Sequence, residues 1–141
     1  MIAIGCDHGG YELKLEIIKY LQEKKIPFID FGCDGTAVDY PIIARSVGQS
    51  VLDKESEQGI LICGTGIGIS IAANKMKGIR CALCSDCFSA EATRLHNDAN
   101  ILAMGGRVVG SGLGIKIVDT FLNTAFSEDE RHIRRISLIE E

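Results

Sequence analysis

The sequence predicts a single α/β domain, residues 1–141, in which a five-stranded parallel sheet carries helices on both faces. Five short apolar runs are flanked by glycine or polar residues, as expected of parallel strands that are buried on both sides. Longer segments of helical periodicity separate these runs. Repeated strand–helix alternation favours a parallel sheet, because right-handed crossovers leave few other arrangements. The length of 141 residues is that of one ordinary domain.

The strands are predicted at residues 2–6, 27–31, 59–63, 79–84 and 100–104. Between the first two, Leu13, Ile17 and Leu21 recur every fourth residue, which predicts an amphipathic helix over residues 11–24. Each later strand is likewise followed by a helical segment.

Local signals mark where the other helices begin. Pro41 fits the first turn of the second helix, with Asp39 as a candidate cap. Glycines at positions 64, 66 and 68 open the helix after the third strand. Residues 127–130 have the spacing of a capping box, which predicts a C-terminal helix that runs to Glu140.

The composition narrows the class of protein. Apolar residues make up 46% of the chain and charged residues 24%, which is typical of a folded globular protein. The net charge of −4 argues against a nucleic acid or an anionic membrane as partner. No apolar run approaches the ~20 residues that a membrane-spanning helix needs.

The six cysteines are interpreted as reduced thiols of a cytoplasmic protein, because no signal peptide precedes the first strand. Cys81, Cys84 and Cys87 form a C-x2-C-x2-C run that raises the alternative of a metal-binding or redox-sensing protein. A cluster-binding run would continue with a fourth cysteine at position 91, which is Glu91. We therefore favour ordinary buried thiols and predict no metal site.

Ligands of open parallel sheets bind at the carboxyl ends of the strands. This rule selects the loops at residues 7–10, 32–40, 64–70, 85–86 and 105–107.

The loop that starts at Cys63 carries the strongest signal in the sequence. An apolar strand ends at this cysteine, and Gly64, Gly66 and Gly68 lead into a helix. Glycines permit a ligand to approach the backbone, and free N–H groups at a helix start suit an anion. The same environment favours a thiolate. We therefore interpret Cys63 as a reactive residue rather than as a buried cysteine before a tight turn.

Three familiar glycine-loop or cysteine-loop motifs fail here. A dinucleotide fingerprint would need glycine three residues after Gly66, where this sequence has Ile69. A loop like that of the cysteine phosphatases would need arginine at the same position. The Gly-Lys-Ser/Thr of a P-loop is absent. Asp86, about 20 residues after the glycines, still leaves a dinucleotide-binding module as the main rival.

Several polar residues outside this loop are candidates with structural alternatives. Asp7 and His8 suit a hydroxylated, phosphorylated ligand, or they cap a helix. His96 ends a helix before the fifth strand, so it should lie at the opposite sheet edge from Cys63 and serve a site on another subunit. The arginines that could bind a phosphate, or form a solvated surface, are Arg107, Arg131 and Arg135.

Five motifs follow one another along the chain: Asp-His-Gly at 7–9, Asp-Tyr-Pro at 39–41, Cys-Gly-Thr-Gly-Ile-Gly-Ile-Ser at 63–70, His-Asn-Asp at 96–98 and Gly-Arg-Val-Val-Gly at 106–110. In order and spacing, and over essentially the whole chain, they resemble ribose-5-phosphate isomerase B and its lactose-pathway relatives. The resemblance implies a Rossmann-like three-layer αβα sandwich. It also implies a homodimer, or a dimer of dimers, that shares its active sites between subunits.

By the same resemblance, the activity is interconversion of ribose 5-phosphate and ribulose 5-phosphate without metal or cofactor. Cys63 would be the base that moves the proton between C2 and C1. Some branches of the family have glutamate at this position, and this sequence matches the cysteine branch. Thr65 and His96 would open the furanose ring. The remaining implied substrate-binding residues are Asp7, His8, Tyr40, Gly64, Gly66, Ile67, Gly68, Asn97, Arg107, Arg131 and Arg135. Hexose phosphates such as allose 6-phosphate or galactose 6-phosphate stay open as substrates.

Overall fold

The computed structural model describes residues 1–141. The strands are β1 (Ile2–Cys6), β2 (Phe28–Asp30), β3 (Gln58–Cys63), β4 (Cys81–Leu83) and β5 (Ile101–Gly105). The helices are α1 (Tyr11–Glu23), α2 (Tyr40–Leu52), α3 (Ile67–Asn74), α4 (Cys87–Asn97), α5 (Ser111–Leu122) and α6 (Glu130–Ile139). All strands pair in parallel, in the order β2-β1-β3-β5-β4.

Two helical layers cover the sheet and complete a three-layer sandwich. On one face, α1, α4 and α5 pack together over a core that includes Ile17, Leu102 and Phe121. On the other face, α2 and α3 pack over a second core that includes Val47 and Ile69. The predicted fold class, a Rossmann-like α/β sandwich with five parallel strands and a C-terminal helix, is confirmed.

The strands differ in burial according to their place in the sheet. Every residue of β1 and β5, and all of β3 except its first residue, is buried between the two helical layers. The edge strands β2 and β4 pair on one side only and are partly exposed. Both are shorter than the predicted runs 27–31 and 79–84, since the paired register covers residues 28–30 of β2 and residues 81–83 of β4.

The start of the second helix agrees with the sequence signals in part. Pro41 lies in the first turn of α2, as predicted, and Asp39 occupies the N-cap position. The Asp39 side chain makes no capping hydrogen bond, so proline geometry rather than a side-chain cap marks this helix start.

The C-terminal helix starts later than the capping-box pattern predicted. Glu128 has a φ of +59°, which no helical residue adopts, so α6 begins at Glu130. Asp129 is the actual cap, and its Oδ1 accepts from the N–H of Arg131 at 2.9 Å. Ser127 instead hydrogen-bonds the Nδ1 of His132 at 3.0 Å.

A buried lysine ties α1 to the loop that follows β2. Lys14 is 1% exposed, and its Nζ donates to Asp30 Oδ1 at 2.9 Å and to the carbonyl oxygen of Cys33 at 2.5 Å. These bonds satisfy the buried ammonium and hold this loop at the carboxyl edge of the sheet.

None of the helices combines the length and the hydropathy that are needed to cross a lipid bilayer.

Candidate active site

Three loops meet at the carboxyl edge of the central strands. Cys63, the last residue of β3, pairs with Gly105, the last residue of β5. On the other side of β3, Cys6 at the end of β1 pairs with Ile62. The segments that follow these ends are residues 7–10, 64–68 and 106–107, which lie side by side.

These loops touch backbone to backbone, which requires glycine at the contacts. A Cβ atom on Gly9 would lie 2.9 Å from the nitrogen of Gly64, and one on Gly106 would lie 2.6 Å from the carbonyl oxygen of Gly9. Neither distance is compatible with a side chain. Hydrogen bonds join the same segments, from Gly106 N–H to the Cys63 carbonyl at 2.8 Å and from Arg107 N–H to the Gly64 carbonyl at 3.0 Å.

The thiol of Cys63 lies against the start of α3. Its side chain is nearly buried, and its Sγ accepts a hydrogen bond from the N–H of Gly66 at 3.1 Å. Gly66 has a φ of +79°, a conformation in which glycine is favoured, and this turn directs its N–H back to the sulfur. The glycine loop therefore fixes the position of the sulfur.

The same loop presents backbone donors that the protein does not use. The N–H groups of Gly64, Thr65 and Gly68 have no acceptor within the chain. The N–H of Ile67 is occupied, since it donates to Thr65 Oγ1 at 3.2 Å. Free N–H groups before and at the start of α3 are a candidate site for a negatively charged oxygen.

Polar side chains from other elements border this anion site. The ring of Tyr40, at the start of α2, lies so close to Gly68 that a Cβ there would be 2.6 Å from its Cζ. Asp7 is nearly buried, and its Oδ1 accepts from Gly9 N–H at 2.9 Å. His8, next to it, is exposed to solvent.

Arg107 adds a positive charge at the same place. Its Nη1 would lie 3.2 Å from a Cβ on Gly64, so the guanidinium lies beside the glycine loop. The structure therefore brings together most of the residues predicted from the sequence: Asp7, His8, Tyr40, Cys63, Gly64, Thr65, Gly66, Ile67, Gly68 and Arg107.

The other four predicted residues lie at the opposite edge of the sheet. His96 and Asn97 end α4, a few residues before β5 begins, whereas Cys63 pairs with the last residue of β5. The length of β5 alone separates these two positions by about 13 Å. Arg131 and Arg135 lie on α6, which packs against α4. One chain therefore carries two separate groups of candidate residues.

The sequence interpretation missed His132, which belongs to this second group. It is the buried residue of α6, and its ring centroid lies 4.5 Å from that of His96. Burial lowers the pKa of His132, and the nearby imidazole of His96 lowers it further. The sequence feature that could have identified His132 is its position next to the candidate Arg131.

The three cysteines of the C-x2-C-x2-C run are distributed over a strand, a loop and a helix. Cys81 starts β4, Cys84 follows this strand, and Cys87 starts α4. Burial raises the pKa of Cys84 to about 11 and raises that of Cys81 further. Nowhere do three or more His, Cys, Asp or Glu side chains converge as metal ligands would.

Comparisons with known proteins agree on one family. Residues 2–139 match the family model described as ribose/galactose isomerase. The ribose-5-phosphate isomerase B of Escherichia coli (strain K12) is 49% identical over 139 residues, which cover 98% of this chain and 93% of that protein.

Solved structures give the same result. The ribose-5-phosphate isomerase B of Clostridium thermocellum superposes with a TM-score of 0.96 at 50% identity, covering 99% of this chain and 94% of that one. The Thermotoga maritima enzyme of the same name gives a TM-score of 0.96 at 49% identity, with 99% and 96% covered.

The fold and these relatives define the protein as an isomerase of the α/β class. The chain belongs to the ribose/galactose isomerase family.

Proposed function

We propose that the protein interconverts D-ribose 5-phosphate and D-ribulose 5-phosphate through an enediolate, with Cys63 as the base. The observation that carries this proposal is the position of the Cys63 sulfur beside unused backbone N–H groups. A base next to oxyanion donors is the arrangement that proton abstraction alpha to a carbonyl requires. The names of the relatives in Escherichia coli and Clostridium thermocellum support ribose 5-phosphate as the substrate.

The Cys63 thiolate removes the proton from C2 of the open-chain aldose, and the electron pair moves through C1 to the aldehyde oxygen. The resulting enediolate is stabilised by the N–H groups of Gly64, Thr65 and Gly68. The thiol then returns its proton to C1, and the hydroxyl proton moves from O2 to O1. No metal or other cofactor takes part, because backbone donors balance the developing charge.

Binding of the phosphate orients the sugar for this step. His8 and Arg107 lie at the carboxyl edge and would bind the phosphate there. The phosphate does not react, so its binding energy serves to place C1 and C2 against the sulfur. Tyr40 and Ile67 border the carbon chain, and Asp7 holds its hydroxyl groups.

Ring opening must precede enolisation, because the aldose is mainly a furanose. We assign this step to His96 and Thr65, with Asn97 holding a hydroxyl group. Since His96 and Asn97 lie at the other sheet edge, they would act in the active site of a second subunit. Arg131 and Arg135 would reach the phosphate of that same site from the partner's α6.

An exposed apolar patch beside the glycine loop supports a homodimer. Ile67 and Ile71 on α3 are 52% and 56% exposed, and Phe88 at the start of α4 is 81% exposed. Ile67 and Ile71 are one turn apart on α3, and exposed apolar side chains that adjoin at a surface mark interaction sites. A twofold partner that covers this patch would place its own α4 and α6 over the site. We also assign the enzyme to the cytoplasm, where its six free cysteines stay reduced.

A coupled isomerase assay tests the proposal. Ribose 5-phosphate, allose 6-phosphate and galactose 6-phosphate are compared at equal concentrations, before and after exhaustive treatment with EDTA. We expect the highest kcat/KM for the pentose phosphate and no loss of activity after chelation. A clear preference for a hexose phosphate would refute the substrate. Loss of activity that one divalent ion restores would refute the metal-free mechanism.

A further inference from the structure

A single buried side chain anchors the C-terminal helix. Every other residue of α6 is at least partly exposed, and only His132 is buried. The helix packs against α4, which ends with His96 and Asn97. His132 therefore anchors the first half of α6, while an ion pair between Arg80 and the C-cap residue Glu140, at 2.7 Å, holds its other end.

The His132 ring contacts a residue of the proposed mechanism on one side and a fixed polar group on the other. Its centroid lies 4.5 Å from that of His96, with the two rings tilted by 38°. Its Nδ1 hydrogen-bonds Ser127 Oγ at 3.0 Å. Ser127 is in turn held by the backbone, since its N–H donates to the carbonyl of Leu95 at 3.4 Å and its Oγ accepts from Asp129 N–H at 3.3 Å.

The charged groups around His132 favour its neutral form. The groups that face it are His96 from α4 together with Asp129, Arg131 and Arg135 from α6 and its cap. Burial lowers the pKa of His132 most, and the positive neighbours outweigh the carboxylate. A neutral ring can pack against His96 without adding a further positive charge to this contact.

We propose that His132 is a positioning residue, which sets the orientation of the His96 imidazole for ring opening. The inference rests on the proposed role of His96. His132 itself touches no substrate. It acts through ring packing on His96 and through the Ser127 hydrogen bond that fixes its own orientation.

The proposed role of His132 affects ring opening and not enolisation, two steps that an assay of overall isomerisation does not distinguish. Ribose 5-phosphate reaches the enediolate only after its furanose ring opens. Ribulose 5-phosphate has no furanose form, because its 5-hydroxyl carries the phosphate. Exchange of its C1 proton with solvent by Cys63 therefore requires no ring opening. Misplacing His96 should slow turnover of the aldose and leave this exchange intact.

The test compares His132→Phe with wild type in both reactions. Phenylalanine keeps a planar ring in the α6 contact but cannot bond Ser127. We expect turnover of ribose 5-phosphate to fall about 10- to 100-fold, the cost of misplacing a catalytic group. Exchange of the C1 proton of ribulose 5-phosphate in D2O should stay within about twofold of wild type. Ser127→Ala leaves His132 in place. It should lower turnover of ribose 5-phosphate by a smaller factor and should likewise leave exchange of the C1 proton near the wild-type rate.

Arg134→Gln is the matched control, because it removes an exposed charge from the same helix and should alter neither rate. Equal losses of turnover and exchange in His132→Phe would refute positioning and indicate that α6 had merely detached. Unchanged turnover in both variants would refute it as well. Ser127→Ala decides the question if His132→Phe does not fold. A wild-type protein that exchanges the C1 proton of ribulose 5-phosphate but does not convert ribose 5-phosphate would refute the proposed function itself.

Discussion

Cys63 is distinguished from the other five cysteines by what surrounds its sulfur. Burial is common to several of them, and Cys6 and Cys84 have pKa values raised by it to about 12 and about 11. Cys63 ends a central strand, and its Sγ accepts a hydrogen bond from Gly66 N–H in a loop with unused backbone donors. Its reactivity is therefore a property of the loop, and removing the sulfur should remove the chemistry without disturbing the fold.

We expect Cys63→Ala to abolish isomerisation of ribose 5-phosphate and to leave the thermal unfolding transition in place. Exchange of the substrate's C2 proton with D2O reports on the base directly and should vanish with it. Cys81→Ala is the control, because this thiol lies at the start of β4, at the opposite sheet edge. A Cys63→Ala protein that exchanges at nearly the wild-type rate would show that another group is the base.

Arg107→Gln should weaken binding of sugar phosphates, because it removes a charge-assisted contact worth about 1.5–3 kcal/mol. The loss should appear mainly in KM, with some reduction of kcat as the carbon chain loses its orientation. Competition by inorganic phosphate measures the same contact without turnover. Lys116→Gln, an exposed charge on α5, serves as control. Undiminished inhibition by phosphate would exclude Arg107 from the site.

Residues of the glycine loop could be predicted from the sequence because their signal is local. A strand end, three alternating glycines and a cysteine are adjacent in the chain, and the loop follows directly. His132 could not be found in this way. Its contact with His96 depends on how α6 folds back against α4, and no spacing along the chain encodes that packing.

At the level of elements, one side-chain bond connects the two helices that pack beside each other on the first face. The hydroxyl of Tyr20 on α1 donates to Asp119 Oδ1 on α5 at 2.5 Å, and the tyrosine is 7% exposed. Burial raises the pKa of Tyr20 to about 12, with a further contribution from the hydrogen bond to Asp119 and its charge.

Tyr20→Phe should lower the free energy of unfolding by about 1 kcal/mol at neutral pH, because it removes the hydrogen bond to Asp119, an exposed carboxylate that keeps Asn123 Nδ2 as a donor at 3.1 Å. The folded-state pKa is raised, so this stabilisation is complete below pH 10 and is lost as the pH rises through about 12. Urea unfolding at several pH values should therefore show the difference between variant and wild type shrinking over that range.

Tyr11→Phe is the matched control, since no hydrogen bond to the Tyr11 hydroxyl is formed and its removal should be nearly neutral. A difference between Tyr20→Phe and wild type that stays constant from pH 7 to above pH 12 would contradict the assignment of this bond.

Element boundaries followed the sequence where one signal acted alone and departed from it where two competed. The central strands and α1 match their apolar patterns closely. At α6, the capping-box spacing predicted a start after Ser127, but the left-handed Glu128 and the Asp129 cap moved it to Glu130. The Ser127 side chain bonds His132 instead, a tertiary contact that local spacing does not describe.

At the scale of the whole molecule, the candidate residues divide between two edges of one sheet. The sequence anticipated this division, because strand order along the chain fixes which junctions share an edge. A dimer with a twofold axis converts two incomplete groups into two complete sites. Each subunit would then contribute Cys63 to one site and His96 to the other.

Mixing Cys63→Ala with His96→Ala tests this arrangement. The two variants are unfolded together and refolded, so that subunits pair at random. Each heterodimer would hold one site with both substitutions and one site with neither. About a quarter of wild-type activity should return, since half the dimers regain one of two sites. Refolding each variant by itself is the control. Heterodimers that form without regaining activity would show that both residues act within one chain.

The backbone contacts between the loops also decide where this enzyme can be re-engineered. Gly9, Gly105 and Gly106 each leave less than 3 Å between a prospective Cβ and a neighbouring main-chain atom. A mutant library at these positions will therefore return mainly misfolded proteins, whatever selection is applied. Tyr40 and Thr65 border the same site with exposed side chains. Because Thr65 is assigned to ring opening, altered sugar preference should be sought at Tyr40, where evolution in the laboratory can change the ligand's surroundings without moving the loops.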